Sequence, residues 1–294
     1  MDQSISPART RVGWTTRFAD NLSVGIASQR AAGMGPGHVL FAAVMICLGI
    51  RGLFYGDLAS VWQRIPIEHL PGQQVIAYAC AVVELVAGIG LLARRTIAVS
   101  SAALLVYLLL WVVLLRLPAV VAMPQMEATW LGFGEIAIIL AGGWIVFATH
   151  AGDWARNHLK FAVGASGVRY ARLLFVLSLP MIGLSHFVYA QVTAGFVPAW
   201  MPWHYAWAYL TGAGSIAAAI AVLFAIWPRL AATLEAAMLS VITVLVWLPG
   251  LIDAPSNNSW AAFLMSSAIA IGPWVVADSY RGVGWLTIGT SSRK

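Results

Sequence analysis

Apolar residues run almost unbroken through eight stretches of the 294-residue chain, roughly 37–56, 75–93, 97–117, 130–150, 170–190, 205–227, 230–250 and 261–279. A helix needs about 20 residues to cross ~30 Å of hydrocarbon, and each stretch has that length. The pattern therefore predicts an all-α membrane protein with eight transmembrane helices. Gly and Pro interrupt several of the stretches, which membrane helices tolerate because neighbouring helices re-satisfy the backbone. Ahead of the first stretch, Trp14, Phe18, Leu22 and Ile26 recur every fourth residue among arginines. That spacing suggests a helix lying on the membrane surface, broken by Gly33, Gly35, Pro36 and Gly37 before the first span.

The two halves of the pattern repeat. Leu40, Phe41, Gly49 and Tyr55 match Leu174, Phe175, Gly183 and Tyr189 at one constant offset. Ala77, Tyr78, Ile89 and Leu92 match Ala208, Tyr209, Ile220 and Leu223, and Leu117-Pro118 with Pro124 recurs as Leu248-Pro249 with Pro255. The last span of each half agrees best: Trp130, Phe133, Ile139, Gly142, Trp144 and Val146 recur as Trp260, Phe263, Ile269, Gly272, Trp274 and Val276. Four spans per half is an even number, so both halves enter the membrane the same way. The expectation is two four-helix bundles related as a parallel repeat about an axis along the membrane normal. Gly88, Gly90, Gly212, Gly214, Ala218 and Ala221 are small enough to allow close backbone approach within or between them.

Composition agrees: 61% apolar and 10% charged residues exclude an ordinary soluble domain. The net charge of +6 raises nucleic acid as a partner, but its distribution argues against one. Of the 17 Lys/Arg residues, fourteen fall in alternate, same-side segments: Arg9, Arg11, Arg17, Arg30, Arg94, Arg95, Arg156, Lys160, Arg169, Arg172, Arg229, Arg281, Arg293 and Lys294. Only Arg64 lies in the opposite loops. The positive-inside rule then puts both termini in the cytoplasm, with membrane lipids as the general partner. No short apolar run with a cleavage site precedes residue 36, so no signal peptide is expected. The chain divides into an N-terminal segment 1–35, a first membrane unit 36–151, a basic linker 152–169, a second unit 170–280 and a tail 281–294.

Charges inside the spans are the candidate chemistry. An unpaired charge at mid-membrane costs on the order of 3 kcal/mol or more, yet Arg51 and Glu84 each lie within an apolar run. With both termini inside, Arg51 lies roughly 7 Å and Glu84 roughly 12 Å below the outer surface, at 1.5 Å per residue. Arg116 ends the third span and Glu135 opens the fourth on the same side. Four ionisable groups from four helices are thus expected in one layer, where two acids and two bases neutralise one another. One reading is a polar pocket open toward the outer face; the other is a set of inter-helix ion pairs, with Arg116 snorkelling to headgroups. In the second half Ser215 stands in place of Glu84, Met265 in place of Glu135, and His186 in place of Gly52. His186 shares its span with Tyr189, and Glu235 reads as interfacial.

Cys47 and Cys80 precede Arg51 and Glu84 by four residues each, which stacks each thiol on the face of its charged neighbour. The antiparallel spans would set the thiols about 7 Å apart in depth, too far for a disulfide, and they read as buried small hydrophobes. No CxxC pair, haem-binding histidine pair or metal cluster is evident. Trp62, Trp130, Trp200, Trp203, Trp207, Trp247 and Trp260 crowd the outer side, as an aromatic belt at the headgroups or a stacking lid over a flat ring.

The run Gly183-Leu184-Ser185-His186-Phe187, then Val197-Pro198, Met201-Pro202 and Tyr209-Leu210-Thr211-Gly212 resembles the DoxX/DoxD-like family of small bacterial membrane proteins. Members of that family are four-helix bundles with a glycine and histidine near the end of the first span, a Pro-rich outer loop and a Tyr-x-x-Gly-x-x-Glu-like opening to the second. The first half carries the glutamate of that pattern, Tyr78 through Glu84, with Gly52 at the histidine position. The second half carries His186 with Ser215 at the glutamate position, so neither copy is complete. The resemblance implies a subunit associated with quinone-linked redox chemistry beside membrane or periplasmic redox partners. On that reading Arg51 would hold a quinone carbonyl, Glu84 would exchange a proton, and Arg116, Glu135, His186 and Tyr189 would complete the ligand-binding set, with no covalently bound cofactor. A non-catalytic structural or assembly subunit of a larger membrane complex is the alternative. A transporter fits less well, because the polar residues fall in one layer and not along a path.

Overall fold

A computed structural model of the protein describes residues 19–26, 35–58 and 71–289. Among these residues, eight helices are long and apolar enough to cross a membrane: α1 Pro36–Tyr55, α2 Gln73–Leu91, α3 Ile97–Ala122, α4 Glu127–His150, α5 Gly164–Val188, α6 His204–Leu223, α7 Pro228–Asp253 and α8 Asn257–Asp278. No strand is present among the described residues. Each helix coincides with one of the apolar stretches in the sequence. Trp14, Phe18, Trp62, Arg64 and the basic residues before position 19 and after 289 lie outside the described residues.

Local chemistry sets several of the boundaries. Pro36 opens α1, where its missing N–H costs nothing. Gly56 closes it at φ 62°, returning its N–H to the Gly52 carbonyl at 2.9 Å. Ser256 and Ser259 form a reciprocal capping box at the start of α8. α3 and α7 each widen into a π-helical turn, Val112–Arg116 and Thr243–Trp247, directly before a Leu-Pro pair. Pro118 and Pro249 have no N–H and crowd the preceding turn, and the wider turn accommodates that defect without ending the helix.

Consecutive spans pack side by side, α1 through α4 and α5 through α8. The fourth span of each set leans across: α4 packs on α5 and α8 on α1, while α1 barely touches α4 and α5 barely touches α8. α4 and α8 meet in the middle, so the eight helices form a ring with a central pair. Gly142 and Gly272 make that contact possible. A Cβ on Gly142 would stand 3.1 Å from Gly272 Cα, and one on Gly272 would stand 2.5 Å from the Ile138 carbonyl oxygen. The other small residues are likewise used inside the chain: Gly88 lies against Ile46, Gly90 against Ser100, Gly212 against the Gly183 carbonyl and Gly214 against Met238.

Where α1 begins and α8 ends, the described parts of both terminal segments are stitched together. The centre of the stitching is Arg172, which the sequence counts among the same-side basic residues and the structure places in α5, fully buried. Its Nη1 donates to the carbonyls of Leu22 (2.9 Å) and Val24 (2.7 Å), and its Nε to Ser279 Oγ (2.9 Å). The guanidinium lies 3.6 Å over the ring of Tyr280, whose phenol burial pushes up. Leu22 and Ile26 are therefore core residues, not surface anchors. The stretch 282–289 folds back on the turn after α6, with Trp227 N–H donating to the Thr287 carbonyl and Gly289 N–H to that of Ala225, both at 2.9 Å. That pairing holds Ala225 and Trp227 at φ 53° and 50°, a region most side chains avoid.

Candidate functional site

Arg51 and Glu84 line one cavity, together with Cys80, Asp57 and Leu48, between α1 and α2. Both charged side chains are 5% exposed. The left-handed turn at Gly56 sends the chain back over the end of α1, and so the Asp57 carbonyl accepts from Arg51 Nη1 at 3.2 Å. The Asp57 carboxylate stands 3.8 Å from Nη2. Asn257, the first residue of α8, closes the triangle. Its Oδ1 accepts from Arg51 Nη2, and its Nδ2 donates to Asp57 Oδ2 at 3.0 Å. The capping box one residue earlier fixes where that amide sits.

Glu84 has a different partner. Its Oε1 accepts from the Tyr107 hydroxyl at 2.7 Å, which ties α2 to α3. No ion pair joins Arg51 to Glu84 among the described residues; the guanidinium acts on the acid through space. The cavity they share measures about 10 Å³, room for about one water. Among the described residues, Arg51 Nε is buried and has no hydrogen-bond partner.

The remaining candidates stand elsewhere. Arg116 lies across Gly132, where a Cβ would meet its Nη1 at 2.5 Å, one turn from Glu135 on α4. The Arg116 and Glu127 charges both act on Glu135. His186 shares a 2.8 Å hydrogen bond through Nδ1 with Thr211 Oγ1, whose own O–H has the Trp207 carbonyl at 2.9 Å. This fastens α5 to α6 where Gly183 and Gly212 let their backbones touch. The Tyr189 hydroxyl accepts from the Ala128 N–H at 3.2 Å, joining the end of α5 to the first turn of α4. Neither residue lines the Arg51 cavity. Glu235 is not interfacial: it is buried in α7, with the Ser215 hydroxyl donating to its Oε1 at 2.9 Å.

Three members of the Arg51 cluster were not singled out by the sequence reading. Asp57 directly follows the helix-ending glycine, Asn257 lies in the Ser-Asn-Asn-Ser start of α8, and Tyr107 is a lone phenol in the apolar third stretch. The last two carried usable signals, a capping pattern and a polar group in hydrocarbon. Cys80 lines the cavity, whereas Cys47 lies on the outward face of α1, contrary to its reading as buried. Both thiols are free. Among the described residues, no group of His, Cys, Asp and Glu is arranged to hold a metal ion.

A family model described as a domain of unknown function, DUF8561, matches residues 175–264, from within α5 into α8. No curated protein matches the chain, and no solved structure matches it.

Proposed function

We propose that the protein is a multi-pass inner-membrane subunit whose buried polar cluster is structural, joining its first and last spans. The observation that carries this is the closed triangle of Arg51, Asp57 and Asn257, which binds α1, the loop after it and α8. A cation buried in hydrocarbon persists when its neighbours are held in fixed geometry, and both partners here, Asp57 and Asn257, are positioned by helix-end motifs. The outward faces are covered by large apolar side chains such as Ile50, Phe54, Val75 and Val86, which suits lipid. The topology in this reading has both termini in the cytoplasm. It also has two parallel four-span halves, a reading supported by the matched π-turns before Leu-Pro and by the meeting of Gly142 with its repeat counterpart Gly272.

A quinone-linked role is the second reading. Its support is the DoxX/DoxD-like resemblance, the Arg51 Nε that has no partner among the described residues, and the Glu84–Tyr107 pair at the same cavity. The cavity's enclosed volume of about 10 Å³ has room for about one water, so on this reading a quinone oxygen, rather than its ring, reaches these residues. Glu84→Gln separates the two readings. Glutamine keeps the shape and still accepts from Tyr107, so a structural cluster leaves folding and migration in mild detergent unchanged and no quinone binding to lose. A folded variant that has lost quinone binding supports the redox role.

A further inference from the structure

Ser215 stands in place of Glu84 in the repeat, so the second half carries no acid at that position. The structure places an acid at the corresponding contact, contributed by the next helix. Glu84 of α2 meets the Tyr107 hydroxyl of α3, and Glu235 of α7 meets the Ser215 hydroxyl of α6. The donor and acceptor helices have exchanged roles. Glu235 lies about 10 Å along α7 from its start, at 1.5 Å per residue, and both Glu235 and Ser215 are 2% exposed.

We propose that Ser215 and Glu235 form a second, proton-holding site in the membrane domain, with Glu235 kept as an un-ionised carboxylic acid. A hydroxyl can donate to a carboxylate or to the carbonyl oxygen of an acid, more strongly to the carboxylate, so the Ser215 bond does not by itself make Glu235 neutral. The surroundings do. Among the described residues, no cation stands within ion-pair distance of Glu235, and no charged or titratable side chain acts on it from α6 or α8. Its own helix offers Ala232, Ala236 and Leu239 on the buried face. A carboxylate without a countercharge in an apolar interior takes up a proton instead. Glu84 differs because the Arg51 guanidinium acts on it. The ligand is therefore a single proton, held between two helices of the second half. The inference rests on Glu235 and its neighbours and stands whichever role the Arg51 cluster has.

Infrared spectroscopy of the full chain in lipid nanodiscs at neutral pH tests this. The wild type is expected to give a carboxylic-acid C=O band that loses one component in Glu235→Gln. Ser215→Ala should move that component to higher frequency, because the oxygen loses its hydrogen bond, and Glu84→Gln should leave the shift intact. A folded Glu235→Gln protein with an unchanged acid band overturns the proposal, as Glu235 would then be ionised. Should Glu235→Gln fail to fold, Ser215→Ala decides alone, and an unshifted band again overturns it.

Discussion

Asn257→Leu removes a side chain that bonds to both Arg51 and Asp57 while keeping the same number of heavy atoms and the same branching. The two lost hydrogen bonds differ in weight. Arg51 is buried, and a hydrogen bond to a charged group contributes about 1.5–3 kcal/mol. The Asp57 side chain is 43% exposed, so water replaces its lost partner at small cost. The expected destabilisation is about 2–3 kcal/mol in total, most of it from the guanidinium left short of an acceptor. At about 2–4 °C per kcal/mol for a chain approaching this size, the thermal transition in detergent should fall by roughly 5–10 °C. The capping box of Ser256 and Ser259 is untouched, so helical content should not change. In an Arg51→Met background the same substitution should cost far less, because the donor is already gone. A transition within about 1 °C of the parent, or equal losses in both backgrounds, would refute the idea that this amide bridges α1 to α8.

Other substitutions probe separate links. Gly272→Val drives a side chain into the Ile138 carbonyl and should cost about 1–3 kcal/mol or more, read as a lower thermal transition; Gly195→Ala, where nothing lies within 4 Å, is the neutral comparison. Arg172→Met releases the carbonyls of Leu22 and Val24, and each acceptor left buried and unpaired should cost about 1–3 kcal/mol; limited trypsinolysis should then cut the N-terminal segment faster, and unchanged cleavage would count against the clamp. Tyr107→Phe strips Glu84 of its hydrogen bond and should destabilise by about 1–3 kcal/mol, whereas in a Glu84→Leu background the same change should have little effect on the unfolding midpoint.

The fold was legible because hydrocarbon imposes a simple demand on sequence. Any helix that spans it must be long and apolar, and all eight stretches became helices. Arg51 and Glu84 stood out for the same reason, as charges where charges are costly. Their partners did not, because partner choice depends on which helix ends meet, and pairing along the chain says nothing of Asn257 lying 206 positions from Arg51. Arg172 was misplaced because a basic residue near a span boundary reads as interfacial until the carbonyls that surround it are known. Glu235 was misread for the same reason. The packing of α4 on α5 and of α8 on α1 was also hidden, since apolar faces carry little address beyond the small residues where backbones touch.

The cluster's structural character is tested most directly by quantifying quinones in lipid extracts of the purified protein, by absorbance and mass spectrometry. The account predicts amounts well below one per chain, and no difference between wild type and Glu84→Gln. One quinone per chain in the wild type, lost in a folded Glu84→Gln variant, would contradict it.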